Sequence, residues 1–266
     1  MQLLLSIGSR FAAIFAHIGA LSWLLLDAST WIFRSLGDRK VRLGRAAIVG
    51  QICRIGVSSI LIVSLVSGSI GFILAFQMAP PLDNLGQVEL VPNIIAVAVL
   101  RELGPLIAAI VLVGFAGAAI AAEIGTMVVG EEIEALEAHA LNPVRFLVVP
   151  RIIAAVISLG CLAVLSDLMA VLSAAFMSKT VLGIGWTTYY KNTLAQVGPI
   201  DFITGLLKAF VFGGLIGLIA CGNGLRVRGG AAGVGNATTR TVVESVVAVI
   251  IADLIFTIVF YSLKLF

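Results

Sequence analysis

Ile55 to Ala79 is 25 residues without a charge, and Leu103 to Ala122 is 20 more. At 1.5 Å per residue the shorter run makes about 30 Å of helix, the thickness of a bilayer's hydrocarbon core. Few folds are open to such a chain. In hydrocarbon every backbone N–H and C=O must be paired within the protein, which leaves helices or a closed barrel. Barrel strands alternate polar and apolar residues, and none of these segments does so. The composition agrees: 60% of the 266 residues are hydrophobic and 12% are charged, about half the charge of a soluble domain, with mean hydropathy +1.14. The expected class is an all-α integral membrane protein. Its net charge of +3 is spread over loops and makes no nucleic-acid surface. Cys53, Cys161, Cys221, His17 and His139 show no metal-ligand spacing and read as packing residues. The N-terminus "MQLLLSIGSR" lacks the basic leader of a secretory signal, so no cleavage is expected.

Three more segments complete the set. They are Ile152 to about Ser178, containing Asp167; about Phe202 to Leu225, with Lys208 near its start; and Val243 to Leu263, with Asp253 near its middle. The first span is expected to stop at Pro80-Pro81, which cannot continue a helix. Basic residues set the orientation. With 34–54 in the cytoplasm, Arg34, Arg39, Lys40, Arg42, Arg45 and Arg54 lie inside, joined by Arg145, Arg151, Arg226, Arg228 and Arg240. Only Lys179, Lys191 and Lys264 fall opposite, eleven against three, which supports five spans with the C-terminus outside. Phe11 to Leu26 is apolar for only 16 residues, is interrupted by His17, and is flanked by Arg10 and Asp27. It reads as an in-plane amphipathic helix; a sixth span is the alternative and leaves the later topology unchanged.

The chain has no GxxxxGK[ST] loop and so cannot hydrolyse ATP by that mechanism. The glycine-rich "CGNGLRVRGGAAGVGNATTRT" (221–241) follows a span rather than a strand and reads as a flexible connection, with Thr238 or Thr239 capping the last helix. "LRELGP" (100–105) places Arg101 and Glu102 at the outer edge of the second span. Such a pair either snorkels to the interface or forms a polar lip on a cavity. Adjacent helical residues point about 100° apart, so the two meet different partners, and Gly104-Pro105 can open the helix there. Asp167 and Asp253, inside spans, read as interhelical hydrogen bonds, with a proton relay as the functional alternative. The small residues of "GFAGAAIAAEIG" and "FGGLIG" permit close helix approach, within the chain or between two copies.

"GEEIEALEAHALNP" (130–143) holds four of the fourteen acids in a short connection on the basic side. On a helical wheel Ile133, Leu136, Ala140 and Leu141 share a face about 140° wide. Glu131, Glu132 and Glu134 point elsewhere, Glu137 falls within the apolar face, and Asn142-Pro143 ends the helix.

Together "RELGP", "AAIAAEIGTM", "EEIEALEAHALNPVRFLVVPR" and "ATTRTVVES" closely resemble the MlaE-type permeases of MCE-associated ABC transporters, over about residues 48 to 262. The resemblance implies a permease that moves phospholipids or related lipids between membranes. Its expected place is the bacterial inner membrane or the chloroplast inner envelope. The implied partners are a second copy, a cytoplasmic ABC ATPase that carries the ATP and Mg, and an MCE-domain protein on the opposite face. No cofactor is implied for this chain. By similarity, residues 1–46 form the interfacial helix and linker, and 47–266 the five-span domain. Residues of about 130–142 form a coupling helix that docks the ATPase through Glu131, Ile133, Glu134, Leu136, Glu137 and Leu141. A lipid cavity would be lined by Leu74, Gln77, Met78, Leu82, Leu85, Arg101 and Glu102. One position departs: many relatives carry Gly-Arg where this chain reads Gly114-Phe115, so no role of that arginine transfers. From the residues alone the rival is an ion- or proton-coupled secondary transporter using Asp167 and Asp253; the absence of an evident inverted repeat weighs against it.

Overall fold

The computed structural model describes residues 2–37 and 44–264, with the side chains of 2–11, 13, 14, 36 and 37 excepted. All regular structure among the described residues is helical. The helices are α1 (Gln2–Gly37), α2 (Arg45–Ile55), α3 (Ile60–Asn84), α4 (Val91–Ala98), α5 (Gly104–Leu112), α6 (Ala118–Val129), α7 (Glu132–Ala138), α8 (Val149–Thr180), α9 (Trp186–Gln196), α10 (Pro199–Gly224) and α11 (Gly230–Ser262). Of the residues used above for orientation, Arg39, Lys40 and Arg42 lie outside the described set, as does the side chain of Arg10.

Five continuous helical stretches among the described residues are long and apolar enough to cross a bilayer: Arg45–Asn84, Val88–Val129, Val144–Thr180, Pro199–Gly224 and Gly230–Ser262. Their number matches the expectation, but their bounds are wider. The second covers 42 residues, or about 63 Å, twice the hydrocarbon thickness. It carries Arg101 and Glu102 within the helix rather than at its edge.

Pro80 and Pro81 do not stop the first span, which runs on to Asn84. A proline inside a helix costs about 3 kcal/mol. Here packing offsets that cost, because Ala75 is buried, and Leu74, Met78 and Leu82 lie against it, in a core shared with Val91, Ile95 and Val99. The last span begins at Gly230, so the glycine-rich stretch is largely helical. Thr238 and Thr239 sit inside that helix and donate to the Gly235 carbonyl instead of capping it.

Three π turns interrupt the spans, at Val99–Leu103, Val113–Gly117 and Val144–Val148. Two precede a proline by one residue: the N–H groups of Gly104 and Val149 reach back to the carbonyls of Val99 and Val144, and Pro105 and Pro150 follow. Proline offers no N–H, so the ladder widens around it and the helix continues. The extra Leu100 carbonyl is met by α10, whose backbone comes close because position 205 is glycine.

Helix α8 runs through the centre, against α2, α3, α5 and α10. The core is rich in alanine: Ala108, Ala109, Ala154, Ala163, Ala209 and Ala220 are all buried. Apolar side chains gain little by leaving lipid tails for a protein interior, so contact comes from close backbone approach. Gly213 and Gly217 lie against Ala155, Val156 and Ile152 of α8, which places that GxxxG within the chain. Helix α11 lies outermost, with Val243, Val247, Ile250, Leu254 and Ile258 at least half exposed. An apolar face of that length suits lipid.

Candidate functional site

Charge inside the bundle is concentrated where the π turn at 99–103 meets α10 and α11. Lys208 is fully buried. Its ammonium donates to Glu102 Oε2 (2.5 Å), Asp253 Oδ1 (2.9 Å) and Thr257 Oγ1 (3.1 Å), so all three N–H bonds are used. The Thr257 hydroxyl in turn lies 2.9 Å from Glu102 Oε1 and 3.0 Å from the Asp253 carbonyl and donates between them. Two acids thus surround one base, and three helices are tied at one point.

Arg101 turns to another partner. Its Nε donates to Asp201 Oδ1 at 2.6 Å, while Asp201 Oδ2 accepts the Gly198 N–H at 2.8 Å and caps α10. The divergence of Arg101 and Glu102 is as the helical geometry requires. Both face α10 rather than snorkelling. The sequence offered a signal for this cluster, since Lys208 and Asp253 are opposite charges inside apolar spans; the partnership needed the fold.

Asp167 differs from Asp253. It is buried against Gly104, and its Oδ1 has no hydrogen-bond partner among the described residues. The two acids share no hydrogen bond and form no relay in this conformation.

The expected cavity residues are divided. Leu74, Met78 and Leu82 pack against the core of α3, α4 and α8, whereas Gln77 and Leu85 are exposed.

At the opposite, basic end, Glu123 bridges two arginines from separate helices. Arg151 Nη2 lies 3.0 Å from Oε1, and Arg54 Nη1 lies 2.9 Å from Oε2. His17 of α1 contacts Glu244 of α11 through Nε2 (3.1 Å) and Arg226 through Nδ1 (2.6 Å). Arginine only donates, so in this arrangement Nδ1 accepts from Arg226 and Nε2 faces the Glu244 carboxylate. Farther along α1, Trp31 stacks with Arg145 at the start of the third span. Gly222 leaves room for Leu21 of α1. Helix α1 therefore touches three different spans at the same end of the bundle.

The acidic connection is shorter than 130–142: α7 covers Glu132–Ala138. Ala140 has φ +57°, in the left-handed region, and the chain reverses there. Asn142 does not end this helix but starts the next, its Oδ1 accepting the N–H groups of Val144 (2.9 Å) and Arg145 (3.2 Å). Ile133 rests against the chain's own core and Leu136 is half-buried, while Glu131, Glu134, Glu137 and Leu141 are exposed.

A helical bundle with five apolar spans, knit by ion pairs inside the bundle, is a multi-pass membrane protein. The chain belongs to the MlaE permease family, whose model, Permease MlaE, matches residues 48–259. A probable ABC transporter permease protein of Rickettsia bellii is 34% identical over 257 residues, 97% of each chain. Protein TRIGALACTOSYLDIACYLGLYCEROL 1, chloroplastic, of Arabidopsis thaliana is 34% identical over 212 residues, 80% of this chain and 61% of that one. A probable ABC transporter permease protein of Synechocystis is 33% identical over 212 residues, 80% of this chain and 81% of its own. The chain is thus a permease, a transport subunit rather than a catalyst.

Proposed function

We propose that this permease moves phospholipids or related lipids across or out of its membrane, driven by a separate ABC ATPase that holds the ATP and Mg. The observation that carries this reading is the likeness to ABC transporter permeases over nearly the whole chain, joined to a chloroplast relative whose name contains a diacylglycerol lipid. The basic end faces the cytoplasm. Exposed Glu131, Glu134, Glu137 and Leu141 of α7 and its flanks form the ATPase contact, with Ile133 and Leu136 joining it to the core. A second copy completes the lipid path along the outer end of α3, where Gln77 and Leu85 stand exposed beside Leu74, Met78 and Leu82. An MCE-domain protein receives or delivers lipid on the face that carries α9. Arg101 and Glu102 serve this path by locking the π turn to α10. Helix α1, tied at both His17 and Trp31 to one end of the bundle, lies along the membrane interface. The test is lipid transfer from vesicles that contain the permease, its ATPase and a lipid acceptor. Transfer that requires ATP supports the reading, and transfer that follows a proton gradient without ATPase overturns it in favour of Asp167 and Asp253 chemistry.

A further inference from the structure

The π turn at Val113–Gly117 precedes no proline, and beside it a cavity of about 270 Å³ lies between α2 and the start of α6. Gln51, Arg54, Ile55 and Ser58 line one wall, and Phe115, Ala116, Ala119, Ile120 and Glu123 the other. Its two ends differ. Gln51, Arg54 and Glu123 stand at the basic end, while Phe115 and Ala116 lie two turns deeper, about 12 Å along α6 toward the middle of the span. A polar mouth with an apolar floor, aligned with the span, is the polarity of one lipid leaflet.

The charge at the mouth is also unbalanced. Among the described residues Glu123 is the one acid paired with these two arginines, leaving one positive charge. Arg151 is buried and holds one carboxylate oxygen, whereas the Arg54 side chain is 60% exposed and has donors to spare. At the deep end Phe115 is 42% exposed and presents an aromatic face. Drug-sized sites run to about 300–1,000 Å³, so this volume suits a headgroup phosphate and the upper part of one chain, not a whole lipid.

We propose that the α2–α6 groove is an anionic phospholipid site, with the headgroup phosphate on Arg54, Gln51 and Ser58 and an acyl chain over Phe115 and Ala119. It takes its lipid from the leaflet on the basic side. Binding there is an equilibrium property and does not depend on ATP-driven transport.

A photoreactive benzoylphenylalanine in place of Phe115 reads the occupant directly. The full chain is placed in phosphatidylcholine vesicles with a minor share of phosphatidylglycerol, and adducts are identified by mass. Phosphatidylglycerol adducts should exceed that lipid's share of the bilayer by about tenfold, as expected for a charge-assisted contact. Arg54→Gln should abolish the enrichment, and Ala119→Trp, which fills the groove without touching the ion pairs, should abolish the adducts even if Arg54→Gln fails to fold. Adducts in proportion to bilayer composition would overturn the site. Complete displacement of phosphatidylglycerol by added inorganic phosphate would show a free-anion site instead. A crosslink to a second copy would show the groove to be a protein interface. Loss of ATP-dependent transfer alone would count against the transport reading and leave the lipid adducts unaffected.

Discussion

Lys208→Met removes the one base between Glu102 and Asp253 and leaves two carboxylates facing each other. Deleting one partner of a buried ion pair costs about 3–5 kcal/mol. The Glu102 and Asp253 side chains are 31% and 16% exposed, so solvent screens part of the repulsion and the lower figure applies, about 3 kcal/mol. In a chain of this size each kcal/mol moves the unfolding midpoint by about 2–4 °C, so the variant should melt about 6–12 °C lower. Tryptophan fluorescence of the detergent-solubilised protein follows the transition. The matching control is Lys208→Met with Glu102→Gln and Asp253→Asn, which removes all three charges and keeps the shapes. It should recover to within about 1.5 kcal/mol of the parent, because a neutral network is close in energy to the ionic one once no charge is left unpaired. A single variant that melts with the parent, or a triple variant no better than the single, would refute the reasoning.

Other substitutions probe separate features. Asn142→Ala deletes the cap that starts the third span and should cost about 1 kcal/mol in the same melting assay. Gly213→Leu drives a side chain into the backbone of α8 at Ala155 and Val156; overpacking of this kind costs about 1–3 kcal/mol or more and should lower both yield and melting point. Burial pushes the Tyr189 hydroxyl from 10.0 to about 12. Between those values the unfolded chain has released a proton that the folded chain keeps, so stability falls as pH rises through that window. Tyr189→Phe should flatten the alkaline fall in melting temperature; an unchanged slope would remove Tyr189 from it.

Much of the bundle is legible in the residues. Uncharged runs mark spans because hydrocarbon tolerates little else, and they mark the middle of each helix better than its ends. The ends depart from local rules where packing overrides them. Pro80 and Pro81 are helix breakers by themselves, but the Ala75 and Ala79 face they share with α8 holds the helix past them. The glycines after residue 228 look like a hinge, yet Gly233 lets the chain pass close to the Arg228 carbonyl and Gly125 leaves room for Val227 and Val234. The Arg101–Glu102 divergence follows from helical geometry, but the identities of Asp201 and Lys208 do not. Those partners lie 100 and 106 residues away and meet only when α10 packs against the π turn. Glu123 is similar: a span-end acid in the sequence, and a bridge between Arg54 and Arg151 in three dimensions. Glu137 lies within an apolar face on the helical wheel; α7 is only two turns long, Ile133 rests on the core, and Glu137 stands exposed in the single chain.

The most direct test is ATP-dependent lipid transfer by the purified permease reconstituted with its ATPase. Labelled phospholipid should leave permease vesicles only when ATP and Mg are supplied. Glu137→Lys should reduce both ATPase co-purification and transfer by about tenfold, as loss of one charge-assisted contact predicts. Transfer that proceeds equally without nucleotide, or no movement of any lipid with the complete ATPase bound and hydrolysing, would contradict the assignment.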